Sequence, residues 1–193
     1  MKRQPARVLE PRDLERLINH TDQTRHPTRN KVIVLLSFKA GLRACEIAGL
    51  TWSMVLRSDC KVSNHLSISK HIAKYGSGRQ IPMHPELRAA LVRYHRVCGR
   101  VSEGPVVLSE RGSHLTPRSI VNWFHRAYAQ LTLRGCSSHS GRRTFITQSA
   151  RMISKIGGSL RDVQELAGHR ALATTERYIE GDREAQRRLI GLL

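Results

Sequence analysis

Six side chains at separated points of the 193-residue sequence belong to types that handle phosphate esters and protons: Arg43, Lys74, His139, Arg142, His169 and Tyr178. Arg43 lies in Gly41-Leu42-Arg43-Ala44-Cys45-Glu46-Ile47, at the mouth of a short helix. Helix N-termini attract phosphate, and Glu46, three residues on, can pair with the guanidinium and hold its fork in one orientation. Lys74 begins Lys74-Tyr75-Gly76-Ser77-Gly78-Arg79, a glycine-flanked hairpin tip from which an ammonium can reach into a groove as a mobile proton donor. His139 and Arg142, three apart behind the capping candidates Ser137 and Ser138, emerge together from a helix N-terminus. Gly168 ends a helix, His169 lies in the turn, and Tyr178 follows nine residues later. Taken singly, each has an ordinary reading as well. Arg43 with Glu46 is then a surface ion pair, Lys74 a solvated loop lysine, and Tyr178 a half-buried packing ring.

The elements that must position these groups are mostly helical. Apolar residues recur at helical spacing over Pro11 to Asn19, Thr28 to Ala40, a short stretch through Glu46 to Gly49, and Pro85 to Val97. They recur again over Thr116 to Leu133, 140–156, 159–167, 171–179 and 183–190. Pro11 and Pro117 fall in first turns, where a missing N–H is harmless, and Thr116 is a cap. Between the third and fourth helices the period changes to two. Met54 to Leu56, His65 to Ile72 and Arg79 to Met83 read as three antiparallel strands separated by turn residues. The expected fold class is therefore α+β, mainly helical with a small three-stranded antiparallel sheet.

Composition bounds the partners. Thirty-three basic against 15 acidic residues give a net charge of +18, an imbalance that a polyanion neutralises, so nucleic acid leads. Arginine outnumbers lysine 26 to 7, and the planar guanidinium makes the two-pronged contact that phosphate accepts. No apolar run approaches the length of a bilayer crossing, and no secretory signal follows the basic start, so a cytoplasmic, DNA-associated location is expected. Cys45, Cys60, Cys98 and Cys136 lack zinc-site spacing and receive no role.

Arg43 within GLRACE, Lys74 ahead of Ile81-Pro82-Met83, His139 to Arg142 followed by RTFIT, and His169 nine residues before Tyr178 stand in one order. In that order the sequence resembles the tyrosine recombinases, also called phage integrases, from about residue 9 to residue 180. The resemblance implies the DNA breaking-rejoining catalytic-domain fold and these roles. Tyr178 is the nucleophile that attacks a scissile DNA phosphate, giving a 3′-phosphotyrosyl link. Arg43 and Arg142 clamp the nonbridging oxygens. Lys74 protonates the leaving 5′-oxygen, with Lys70 as the substitute if the hairpin register slips. His139 assists proton transfer at the tyrosine, His169 hydrogen-bonds the phosphate, and Glu46 is the acidic residue supporting the first arginine.

Elementary chemistry agrees with these roles. A phenol with a pKa near 10 is about a thousandth ionised at neutral pH, so a nearby base is useful. Each guanidinium about 4 Å from the charge gathering on the equatorial oxygens offers on the order of 4 kcal/mol at an effective dielectric of 20, before desolvation. Two arginines can replace a metal, and exchanging one ester for another conserves bond energy, so neither metal, ATP nor other cofactor is expected.

The expected organisation is a single catalytic domain over 1–193, with a tail at 181–193 and no N-terminal core-binding domain, as in an isolated catalytic domain or the short fimbrial-switch invertases. Double-stranded DNA is the expected partner, with a homotetramer assembled on DNA, a monomer in solution and an accessory bending protein as a further candidate. Arg118, Asn122, Arg143 and Arg170 are candidate DNA contacts on charge and placement. A type IB-like topoisomerase and a non-catalytic basic DNA-binding module are the alternatives. Ser140 and Gly141 depart from the acidic and aliphatic residues usual between the histidine and the arginine, and a helical glycine costs about 1 kcal/mol relative to alanine.

Overall fold

The computed structural model describes residues 5–73, 76–178 and 190–191. Along them run α1 (Pro11–Thr21), α2 (Pro27–Lys39), α3 (Ala44–Gly49), β1 (His65–Ile68), β2 (Arg79–Pro82) and α4 (Pro85–Val97). They are followed by α5 (Pro117–Gln130), α6 (Ser140–Ile153), α7 (Leu160–Ala167) and α8 (Leu172–Glu176). Proline opens α1, α2, α4 and α5, where its fixed φ suits the first turn and its absent N–H is not missed. Thr116 caps α5 as expected, its hydroxyl accepting from the Ser119 N–H at 3.1 Å. The helix expected at 183–190 and the tail at 181–193 lie almost wholly outside the described residues.

Every residue from Val32 to Phe38 is buried. A helix covered on all sides is a core helix, and α2 packs against α1, α3, α4 and α6. Trp52, Leu66, Ile81, Leu87, Leu91, Ile120 and Phe124 complete the main core around it. A second, smaller cluster joins Ile146, Val163 and Ala167, with Phe145, Ile153 and Tyr178 packed on its edge. The α2–α6 crossing explains the unusual glycine: a Cβ at Gly141 would run into the Ser37 hydroxyl and the Phe38 ring. The neighbouring Ser140 is fully buried and its hydroxyl accepts from the Ser137 N–H at 3.0 Å. The departure from the usual residues is thus a close helix contact.

Among the described residues two strands form, where three were expected. β1 and β2 pair antiparallel, with His65 opposite Pro82 and Ile68 opposite Arg79. The segment expected as the first strand instead leaves a single 3₁₀ turn at Trp52–Met54. The Val55 and Leu56 N–H groups both donate to the Trp52 carbonyl, at 2.9 and 2.8 Å. A backbone whose donors point back along its own chain cannot join a ladder. Only an isolated bridge between Leu56 and Val62 remains. The fully buried Trp52 ring, 4.6 Å from the ring of His95, anchors that curl. Among the described residues no helix is long and apolar enough to cross a membrane.

Candidate active site

Arg43 sits at the N-cap of α3 in an extended conformation. Glu46, in the first turn, reaches back to accept the Arg43 backbone N–H at 2.8 Å and its Nη1 at 3.1 Å. The Glu46 side chain is entirely buried, a placement that costs free energy unless the charge is fully paired. The pairing is completed by a residue the sequence reading did not select. Arg79, on β2, places Nη1 2.9 Å from Glu46 Oε1 and Nη2 3.2 Å from Oε2. Burial alone would raise the Glu46 pKa, but the hydrogen bonds and charges of Arg79 and Arg43 outweigh it and hold the carboxyl below the usual range. Arg79 did leave a signal: strand alternation puts it on the same face as Ile81, which is buried. An arginine on the apolar phase of a strand needs a buried partner.

Arg142 lies in the first turn of α6 and is 2% exposed. Its Nη1 donates to the Gly41 carbonyl and its Nη2 to the Ala167 carbonyl, both at 2.6 Å. The two acceptors follow α2 and close α7, ends whose dipoles favour a cation. Burial and the nearby positive Arg43 lower the Arg142 pKa to about 10, so the group remains charged at neutral pH. Nη2 also meets His169 Nε2 at 2.9 Å. A guanidinium nitrogen can only donate, so Nε2 accepts, and Nδ1 carries the hydrogen toward Thr175 Oγ1 at 3.0 Å. Burial, then the positive charges of Arg142, Arg43 and Arg79, depress the His169 pKa to about 4, which keeps the ring neutral. Gly168, at φ +63°, lets the chain turn from α7 into His169.

Tyr178 follows α8. Its N–H donates to the Thr175 carbonyl at 3.0 Å, and its own carbonyl accepts from the Thr147 hydroxyl at 3.0 Å. The half-buried ring stacks on His169, centroids 5.5 Å apart and planes at 23°. The guanidinium carbon of Arg143 stands 6.0 Å from its centroid, at the outer limit of a cation–π contact. A cavity of about 940 Å³ is lined by Tyr178, Arg143, Arg177, Ser137, Ser138 and His139, the last an exposed N-cap of α6. A second cavity of about 580 Å³ is lined by Arg79, Gln164, Gly168, His169 and Arg170 among others.

The fold therefore brings together Arg43 with Glu46, and Arg142 with His169 and Tyr178, the two groups close enough for the charges of Arg43 and Glu46 to act on Arg142. His139 joins them at the tyrosine cavity. Lys74 lies outside the described residues, and Lys70 is exposed in the turn after β1. Arg118 and Asn122 are exposed on α5, whose Val121 borders the tyrosine cavity. Arg143 faces Tyr178, and exposed Arg170 borders the His169 cavity. Among the described residues, no three His, Cys, Asp or Glu side chains converge as metal ligands would.

This architecture and its arginine-centred site define a class, and the sequence supplies the family. The signature of the phage integrase family extends over residues 7–184, and the chain belongs to that family. It is 30% identical over 163 residues to the tyrosine recombinase XerC of Methylobacterium sp. (strain 4-46), covering 80% of this chain and 46% of that protein. It is also 30% identical over 161 residues to XerC of Myxococcus xanthus, covering 79% and 50%. The chain thus spans about half the length of these curated relatives. Among solved structures the fold matches the XerA recombinase with a TM-score of 0.74 at 21% identity, over 100% of this chain and 66% of that one. It matches the Tn1549 transposon integrase in complex with transposon right end DNA with a TM-score of 0.77 at 18% identity, over 100% and 67%. The mainly helical fold with a small antiparallel sheet is that of tyrosine recombinase catalytic domains.

Proposed function

We propose that the chain is the catalytic domain of a site-specific DNA recombinase that cuts and rejoins strands through a 3′-phosphotyrosyl link, without metal or ATP. The observation that carries this reading is a pair of neighbouring networks, Arg43 with Glu46 and Arg79, and Arg142 with His169, the second of which ends on the half-buried Tyr178 ring. In the forward step the Tyr178 phenol oxygen bonds to phosphorus and the phosphorus–O5′ bond breaks. The phenol proton passes to His139, and the 5′-oxygen takes a proton from Lys74. Rejoining reverses each transfer. Arg43 and Arg142 stabilise the charge that builds on the nonbridging oxygens, which positions fixed before the reaction do most effectively.

The neutral His169 adds a detail. With Nε2 accepting from Arg142, the ring in this arrangement orients the guanidinium, and Thr175 fixes the tautomer. Donating to a phosphate, the role the resemblance implies, requires Nε2 to release Arg142 and gain a proton. Double-stranded DNA is the proposed partner, supported by the +18 charge and by relatives solved on DNA. A tetramer on DNA, a monomer free in solution and a cytoplasmic location complete the proposal.

The test is covalent capture on a pool of nicked suicide duplexes of random sequence. Protein-linked DNA that disappears in Tyr178→Phe supports the enzyme. Tight binding without capture would make the chain a DNA-binding module instead. Strand transfer between two captured duplexes separates recombinase from topoisomerase, which would relax supercoils without exchanging partners.

A further inference from the structure

We infer that Arg79 is a positioning residue that keeps Arg43 available to the phosphate, an inference resting on the recombinase reading above. The count of donors around Glu46 carries it. Both carboxylate oxygens are occupied by the two terminal nitrogens of Arg79, while Arg43 gives the carboxylate only its backbone N–H and Nη1. Arg43 therefore satisfies its partner with one prong and presents the remaining edge of its fork. The Arg43 side chain is 17% exposed, against 7% for Arg79 and none for Glu46, so among the three it is the most accessible. Without Arg79, a fully buried carboxylate would face Arg43 alone. A carboxylate in that position draws a guanidinium into a two-pronged grip, turning the fork away from substrate.

Arg79 also reaches the other half of the site. Its Nε donates to the Leu166 carbonyl at 2.9 Å, in the last turn of α7, just ahead of His169. The packing is close enough that a Cβ on Gly168 would stand 2.9 Å from Arg79 Nη1. One side chain from β2 thereby ties the sheet to α3 and to α7. Arg79 gives Nε, Nη1 and Nη2 each to a protein acceptor, and its proposed action on the reaction passes through Arg43 and His169.

The experiment compares two substrates. In the second, the nonbridging oxygen that Arg43 neutralises is replaced by methyl, which removes one negative charge from the scissile centre. On the ordinary diester, Arg79→Gln is expected to slow single-turnover capture at least about 30-fold while duplex affinity stays within about threefold. On the neutral methylphosphonate isomer that tolerates Arg43→Ala, Arg79→Gln is expected to stay within about threefold of the unaltered protein. Arg79→Lys should recover only part of the diester rate, because a point charge cannot grip both Glu46 oxygens, and it carries the test if Arg79→Gln does not fold. Equal slowing on both substrates would show a merely structural role and overturn the inference. So would an undiminished diester rate in Arg79→Lys. Absence of any adduct with the unaltered protein would instead overturn the recombinase reading itself.

Discussion

Two arginines reach the same site by different means, and the difference predicts how each fails. Arg142 is buried and held by two carbonyls and His169, whereas Arg43 is held by one carboxylate. Arg43→Ala and Arg142→Ala should each lower covalent capture at least about 100-fold while leaving duplex affinity within about tenfold, measured by single-turnover capture beside equilibrium binding. Arg142→Ala should in addition lower the melting temperature more than Arg43→Ala, since it leaves two buried carbonyls without donors. His169 gives a pH dependence of definite sign. In the unfolded chain it takes up a proton near 6.5, but in the fold only near 4. Its contribution to stability is complete above about pH 6.5 and is lost as the pH falls from there toward 4. Urea unfolding across that window should show a slope that His169→Gln reduces.

Among the elements, the helices were legible because their caps and apolar spacing are local, and prolines marked four of their starts. The first expected strand was not legible. Met54 to Leu56 alternates like a strand, but burial of Trp52 curls the backbone before it, a tertiary effect that spacing does not record. The same limit hid Arg79: its strand phase is visible in the sequence, whereas the buried carboxylate that rewards it comes from 33 residues away. Gly141 also reversed its meaning, because helix propensity knows nothing of Ser37 and Phe38 across the crossing. By propensity, Gly141→Ala would stabilise α6 by about 1 kcal/mol. The close approach of α2 predicts the opposite, a loss of about 1–3 kcal/mol from overpacking, to be read from the denaturant midpoint.

Across the whole molecule, the +18 charge sets how the proposed recombinase would meet DNA. If six to ten phosphates are contacted, duplex affinity should fall about 10³- to 10⁵-fold between 50 and 200 mM salt, which a binding titration over that range measures. A slope near zero would remove the polyanion from the account. The arrangement of that charge matters as much as its sum. Arg118 and Asn122, with His125 and Arg126 beside a shallow cavity of about 270 Å³, occupy the exposed face of α5. Among the described residues, no hydrogen bond links those side chains to Glu46, Arg79 or Arg142. Under the recombinase proposal, the outward side chains of α5 are where a duplex would be selected, apart from the arginines that would act on its phosphate. On that proposal, mutations on the outward side of α5 are expected to send the chain to new addresses while capture on a bound duplex proceeds as before.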